Sequence, residues 1–317
     1  MPSRPAQRVY RTWIIDSTRW DRYRPREDDV LIATYPKCGT TWMQRIVDLL
    51  VFQTPEPRSM AEVSPWIDRR FPEPLDAVMV RIEAQAHRRF LKTHLPADGL
   101  PLHDEVRYIH VARDGRDAAL SFHQFASAFS AGMLAALDRE GMADPAVGRP
   151  YPPLPADPAD FFHQWLTEGS VPGHEDGSPS PSYFHCEQSW WAERRRPNLL
   201  LVHYADLMAD LPGEMRRVAA FLGIAVPEQT WPILVEAAGF AAMRRAGATI
   251  MPMMAASLEG GTDRFFHRGG AGRWRGIFRD ADLALYFAKA EAMLPPGCRQ
   301  WLADGRHRIG DPARLPD

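Results

Sequence analysis

Two short segments hold residue types able to do acid–base and electrostatic chemistry. Phe90-Leu91-Lys92-Thr93-His94 ends an apolar run with a lysine and a histidine two positions apart. Side chains alternate along a strand, so Lys92 and His94 point the same way. A histidine with its usual pKa of about 6.5 can accept a proton near neutral pH, and a neighbouring lysine can stabilise developing negative charge. Tyr35-Pro36-Lys37-Cys38-Gly39-Thr40-Thr41-Trp42 follows another apolar run and leads into a helical pattern. A strand, a tight glycine turn and a helix start present free backbone N–H groups and a positive dipole end to an anion. Lys37 adds a point charge, and Thr40 and Thr41 add donors. This is not the Walker A loop, whose lysine follows the second glycine; here the lysine precedes the only one.

Two further segments suit the same ligand chemistry. Val111-Ala112-Arg113-Asp114-Gly115-Arg116-Asp117 runs on to Ser121, and an arginine fork with a hydroxyl fits a terminal phosphate. Phe265-Phe266-His267-Arg268-Gly269-Gly270-Ala271-Gly272-Arg273 combines glycines, which allow close backbone approach, with anion-attracting bases. Each segment also has a plain structural reading. Thr40 would be a helix N-cap, Lys92 and His94 a solvated strand end, Asp114 and Asp117 a cap and first turn, and the glycines a surface turn. Trp42 would either join the core or stack on a nucleobase.

The elements that must position these residues are short buried strands. Four apolar runs read as strands: Val30–Thr34, Arg89–Thr93, Arg107–Ala112 and Asn198–Val202. Helical patterns follow three of them: Met43, Ile46, Val47, Leu50 and Val51; the stretch 114–129; and Glu214–Leu222. Strands alternating with helices predict an α/β fold with a central parallel sheet flanked by helices, in a single domain spanning 1–317. Ligands in such folds bind at the carboxyl ends of the strands, where three of the four chemistry-bearing segments fall; no strand precedes the fourth.

Composition narrows the class. Net charge is -2, 45% of residues are hydrophobic and 25% charged, which excludes a disordered, collagenous or membrane-bundle chain and offers no global field for nucleic acid. Three cysteines without metal-ligand spacing argue against a disulfide framework or a zinc site. The N-terminus lacks a signal-like apolar core and no run suffices for a membrane span, so a cytoplasmic location is expected. Of 38 basic residues only Lys37, Lys92 and Lys289 are lysines. Prolines cluster in 55–74 and 145–181. We read 55–74 and 131–182 as loop-rich excursions around a pocket, the second a candidate mobile lid.

Together the four segments, in this order over about residues 28–280, resemble the cytosolic sulfotransferase family, in which this chain looks like a bacterial-like member. The family uses 3′-phosphoadenosine 5′-phosphosulfate (PAPS) and releases adenosine 3′,5′-bisphosphate (PAP). Y-P-K-C-G-T-T-W resembles its phosphosulfate loop, L-K-T-H-L-P its catalytic strand end, V-A-R-D-G-R-D-A-A-L-S its 3′-phosphate motif and R-G-G-A-G-R-W-R its closing motif. The resemblance implies a P-loop-kinase-like fold. It also implies that Lys37 contacts the bridging oxygen and sulfonate, with Cys38, Gly39, Thr40 and Thr41 around the 5′-phosphate. Trp42 and Tyr204 would contact adenine, and Arg113, Ser121, His267, Arg268 and Gly269 would surround the 3′-phosphate. His94 would be the general base and Lys92 would stabilise the transferring group, with no metal required.

Departures from the family pattern are Cys38 for serine, His267 for arginine and Ala238 for an adenine-contacting hydroxyl. The usual dimer motif is unmatched at Arg275–Ala284. Trp66, Phe71, Phe122, Phe125 and Phe129 are candidate walls of an acceptor pocket, suiting a phenol, an alcohol or a lipid-like molecule. The leading expectation is a PAPS-dependent O-sulfotransferase. A nucleotide-dependent phosphotransferase and a non-catalytic nucleotide-binding protein are the alternatives.

Overall fold

The computed structural model describes residues 1–266 and 269–316. Its centre is a four-stranded, wholly parallel sheet in the order β2-β1-β3-β4, with β1 at Val30–Thr34, β2 at Phe90–Thr93, β3 at Arg107–Ala112 and β4 at Leu199–His203. Two strands match the sequence expectation and two shift by a residue. Arg89 stands just before β2, where its guanidinium is paired with buried Asp29. His203 extends β4 by pairing with Ala112.

The strands are apolar throughout because both faces are covered. Val30, Ile32, Ile109, Val111 and Val202 pack into one core with helices Thr40–Phe52 and Leu211–Leu222. Leu31, Ala33, Tyr108, Ala112 and Leu201 belong to a larger core on the other face. Helices Gly115–Ala126, Pro158–Thr167 and Tyr183–Ala192 contribute to it. Successive strand residues thus alternate between two cores.

The chain runs from β1 outward to β2, then crosses to the other side of β1 to make β3. That reversal opens a crevice beyond the carboxyl ends of the strands. The stretch 131–182 differs from the loop-rich reading. It carries helices Ala131–Ala143 and Pro158–Thr167, and Phe161, Phe162 and Trp165 of the second are fully buried. Phe162 stacks on Phe278 at 3.9 Å. Sequence periodicity missed these helices because only Leu137 and Gly141 of the first are buried and prolines surround the short second one. Among the described residues no helix is long and apolar enough to cross a membrane.

Candidate active site

The first loop is shaped by two residues in left-handed backbone. Lys37 has φ 69° and Gly39 has φ 105°. A lysine pays strain there, of about 1–3 kcal/mol, which persists only where surrounding structure enforces it. Gly39 is required twice: its φ disfavours a side chain, and an added Cβ would lie 3.1 Å from the Tyr204 ring. Gly39 is also the N-cap, so Thr40 does not cap the helix. The first backbone bond of the helix runs from Met43 N–H to the Gly39 carbonyl, leaving the N–H groups of Thr40, Thr41 and Trp42 ahead of the ladder.

Cys38 departs from the expected contact with phosphate. Its N–H donates to the Tyr35 carbonyl at 3.2 Å, and its thiol is fully buried in the core with its pKa pushed well up by burial. The side chain at this position faces away from the crevice, so replacing serine by cysteine there leaves the crevice lining unchanged.

Thr34, at the end of β1, links the glycine turn to the end of β2. Its hydroxyl lies 2.5 Å from that of Thr40. Its carbonyl lies 2.9 Å from His94 Nδ1. A carbonyl only accepts, so Nδ1 carries the proton and Nε2 keeps its lone pair. Nε2 lies 3.5 Å from Lys92 Nζ. Burial, then the neighbouring Lys92 charge, holds the imidazole well below its usual pKa, so it is neutral at pH 7.

Lys92 Nζ sits 4.1 Å above the Trp66 ring, and the edge of Trp66 meets His94 at 4.9 Å. Lys37 Nζ sits between two rings, 4.1 Å from Phe125 and 4.7 Å from Phe265. Both ammonium groups are pushed down to about 7, chiefly by burial. Repulsion from Arg113 adds to this at Lys37, and repulsion from Arg69 and Lys37 at Lys92.

Arg113 leaves β3 and ties two loops together. It donates to the Lys37 carbonyl at 3.1 Å and to the Gly270 carbonyl at 2.9 Å, with its guanidinium 4.4 Å from the Tyr204 ring. Asp117, read from sequence as a first-turn residue, accepts from Gly272 N–H at 2.6 Å and Arg273 N–H at 2.9 Å. It anchors the glycine loop to the Gly115–Ala126 helix. Nothing in its sequence neighbourhood marks that role.

Trp42 packs edge-on against Tyr204 at 5.4 Å and donates from Nε1 to the Ala238 carbonyl at 2.9 Å. That bond uses backbone, so it is indifferent to the missing hydroxyl at position 238. His267 and Arg268, expected near the 3′-phosphate, lie outside the described residues.

One cavity of about 540 Å³ joins these parts. Lys37, Lys92, His94, Arg113, Ser121 and Tyr204 line it, as do Gly39, Thr40, Thr41, Trp42 and Gly269. All five expected wall residues, Trp66, Phe71, Phe122, Phe125 and Phe129, line it too. Sequence reading missed Met243, Met251, Met253, Met254 and Phe265, which complete the wall; the run Met251-Pro252-Met253-Met254 was the available signal.

The donor set suits a nucleotide carrying several anionic groups. Neither lysine nor Arg113 has an ion pair among the described residues, and Arg113 Nε is buried without a hydrogen-bond partner. Buried unpaired cations are costly, and a bound anion offsets that cost. A parallel sheet with such a crevice is the framework of a nucleotide-dependent group transferase.

The model of the sulfotransferase domain family matches residues 27–289, and the chain belongs to that family of PAPS-dependent enzymes. It is 36% identical to glycolipid sulfotransferases of Mycobacterium bovis and Mycobacterium tuberculosis, each match covering 96% of both chains. It is 28% identical to cytosolic sulfotransferase 1 of Danio rerio, over 82% of this chain and 81% of that one. In fold it is similar to a mouse sulfotransferase complexed with PAP, with a TM-score of 0.66, 20% identity and 91% of each chain covered. Retinol dehydratase in complex with androsterone and PAP gives a TM-score of 0.63 at 23% identity, covering 93% of this chain and 84% of that one.

Proposed function

We propose that this sulfotransferase moves the sulfuryl group of PAPS to a hydroxyl of a small or medium-sized, largely apolar acceptor, with His94 as general base. The observation that carries this reading is the meeting, in one aromatic- and methionine-walled cavity, of His94 Nε2, Lys92 and Lys37. His94 Nε2 takes the proton of the acceptor hydroxyl while Thr34 holds Nδ1–H. The acceptor oxygen forms a bond to sulfur as the bond from sulfur to the 5′-phosphate oxygen breaks. Negative charge then grows on the departing phosphate, where Lys37 and the first N–H groups of the Thr40–Phe52 helix stabilise it. Lys92 balances the charge of the transferring group. Trp42 and Tyr204 flank the adenine, and Arg113, Ser121 and the glycine loop hold the 3′-phosphate.

Alignment of the reacting groups and fixed charge supply most of the rate, as in phosphoryl transfer. No cluster of three or more His, Cys, Asp or Glu side chains able to hold a metal occurs among the described residues. All three cysteines are free and buried, which suits a reducing, cytoplasmic location.

The test is titration of the protein with PAP in the absence of magnesium, followed by transfer from labelled PAPS to a phenol and alcohol panel. PAP is expected to bind and label to move to a hydroxyl. Binding of ATP but not PAP would refute the reading. His94→Ala is expected to keep PAP affinity within about twofold and lower kcat roughly 10²–10⁴-fold. Unchanged turnover would remove His94 as the base.

A further inference from the structure

Arg69 is a cation that the transfer of sulfate from PAPS to a neutral hydroxyl leaves unused. It stands in the 55–74 segment and lines the acceptor end of the cavity. Its guanidinium lies 5.7 Å from the Trp66 ring and 5.5 Å from the Phe71 ring. Among the described residues its side chain makes one hydrogen bond, from Nη1 to the Met253 thioether at 3.0 Å, a weak acceptor. Nε is buried and has no partner. Among the described residues it makes no ion pair, and burial pushes its pKa down to about 10.

Neighbouring carboxylates are engaged elsewhere. Asp68, the next residue back, accepts from Trp20 Nε1 at 2.9 Å and Trp66 Nε1 at 2.7 Å. Glu73 is bonded to Arg81, and Glu62 stands 3.6 Å from the same arginine. Arg70, one residue on, has its own partner in Asp144 at 2.8 Å, so the loop does not lack acids in general. Arg69 is distinguished by facing the cavity among aromatic and sulfur atoms.

The proposal above assigns Lys37 and Lys92 to the sulfuryl and 5′-phosphate groups and Arg113 to the 3′-phosphate. A guanidinium fork among apolar atoms matches an oxyanion in two-point contact, and low local polarity strengthens such a contact. Trp66 neighbours all three groups, its ring centre 4.1 Å from Lys92 Nζ, 4.9 Å from the His94 ring and 5.7 Å from the Arg69 guanidinium, so fork and base face the same part of the cavity.

Resting on that reading of the transfer site, we propose that Arg69 is a specificity-determining residue that pairs with an oxyanionic group of the acceptor. The acceptor is then an amphiphile whose carboxylate, phosphate or sulfate reaches Arg69 while its hydroxyl meets His94. Its remainder packs against the phenylalanines and methionines.

The test uses the PAP complex of the full chain and two near-isosteric probes, 4-hydroxybenzoate and neutral 4-hydroxybenzamide, titrated by calorimetry. Wild type is expected to bind the carboxylate about tenfold or more tightly than the amide, the scale of one charge-assisted pair. Arg69→Met should bring the ratio to about one while PAP affinity stays within about twofold, and Arg69→Lys should keep a reduced preference. With PAPS present, Arg69→Met should raise KM for the carboxylate by about tenfold relative to KM for the amide, whatever change in kcat the two acceptors share. Equal binding of the probes by wild type, failure to bind either, or a preference that survives Arg69→Met overturns the inference alone. An Arg69→Met loss of PAP affinity equal to the loss for the carboxylate also overturns it, because Arg69 would then serve the nucleotide. Failure of wild type to bind PAP overturns both this inference and the sulfotransfer reading.

Discussion

The two ends of the cavity are built in opposite ways. The nucleotide end is made of strand ends, helix starts and backbone. Lys37, Gly39 and the first helical N–H groups come from one turn, and Arg113, Asp117 and Ser121 from another. The acceptor end is made of side chains from scattered places: Ile14 near the N-terminus, Trp66 to Phe71, Phe122 to Met133, and Met243 to Phe266. One end matches fixed charges with fixed donors, so its geometry admits little change. The other offers soft methionine and aromatic surface that repacks around what it meets. On the proposed function, the contrast separates a rigid nucleotide end, where backbone and the side chains on it are fixed by strand ends and helix starts, from an adjustable acceptor end, where a polar side chain such as Arg69 would set the choice.

The sharpest way to break this contrast is Gly39→Ala. The alanine must hold φ 105° with its Cβ 3.1 Å from Tyr204. Strain of about 1–3 kcal/mol is expected, weakening PAP binding roughly 5–100-fold while acceptor-end binding changes little. Calorimetry on both ligands checks it. Unchanged PAP affinity would mean that the helix start is not the anion site.

A smaller effect comes from pH. Lys37 and Lys92 titrate near pH 7 in the free protein, and a bound polyanion raises both. Below pH 7 both are charged and the anion binds fully. As pH rises through 7 the free protein loses charges that the complex retains, so binding takes up protons and weakens. PAP affinity should fall by up to about tenfold through Lys37 between pH 7 and 8, with a smaller part from Lys92, whose sulfuryl partner PAP lacks, and little change for a neutral acceptor. Calorimetry in buffers of different ionisation enthalpy measures the uptake. A pH-independent affinity would show that these lysines do not meet the nucleotide.

The smallest effect is expected at the acceptor wall. Met254→Leu conserves volume, so a cost under about 1.5 kcal/mol in stability and a change within about threefold in acceptor KM are expected, with PAP affinity untouched. Thermal melting and initial rates decide it. A large loss of PAP affinity would erase the distinction between the two ends.

Legibility in the sequence follows the same division. Strand ends and the turns after them are local, and their glycines, lysines and hydroxyls mark them without knowledge of the partners. Cys38 shows the limit even there: its neighbours in sequence contact the crevice, but a turn in the loop sends its thiol into the core. Asp117 and Thr34 read as ordinary polar residues because each acts on a segment far along the chain, the glycine loop and β2. The stretch 131–182 read as loop because its first helix buries little and the apolar face of its second spans only ten residues set among prolines.

The sequence by itself determined the parallel α/β sheet, the anion loop and the pairing of Lys92 with His94. Backbone periodicity and local turn chemistry suffice for these. It also placed two of its three lysines at this crevice, while Lys289 is half-buried elsewhere and donates to the Glu175 carbonyl at 3.4 Å. Tertiary structure alone decided which nitrogen of His94 is free, what holds the glycine loop, and that Arg69 is left without an anion. Each is a relation between segments distant along the chain, fixed when burial and hydrogen bonding bring them together.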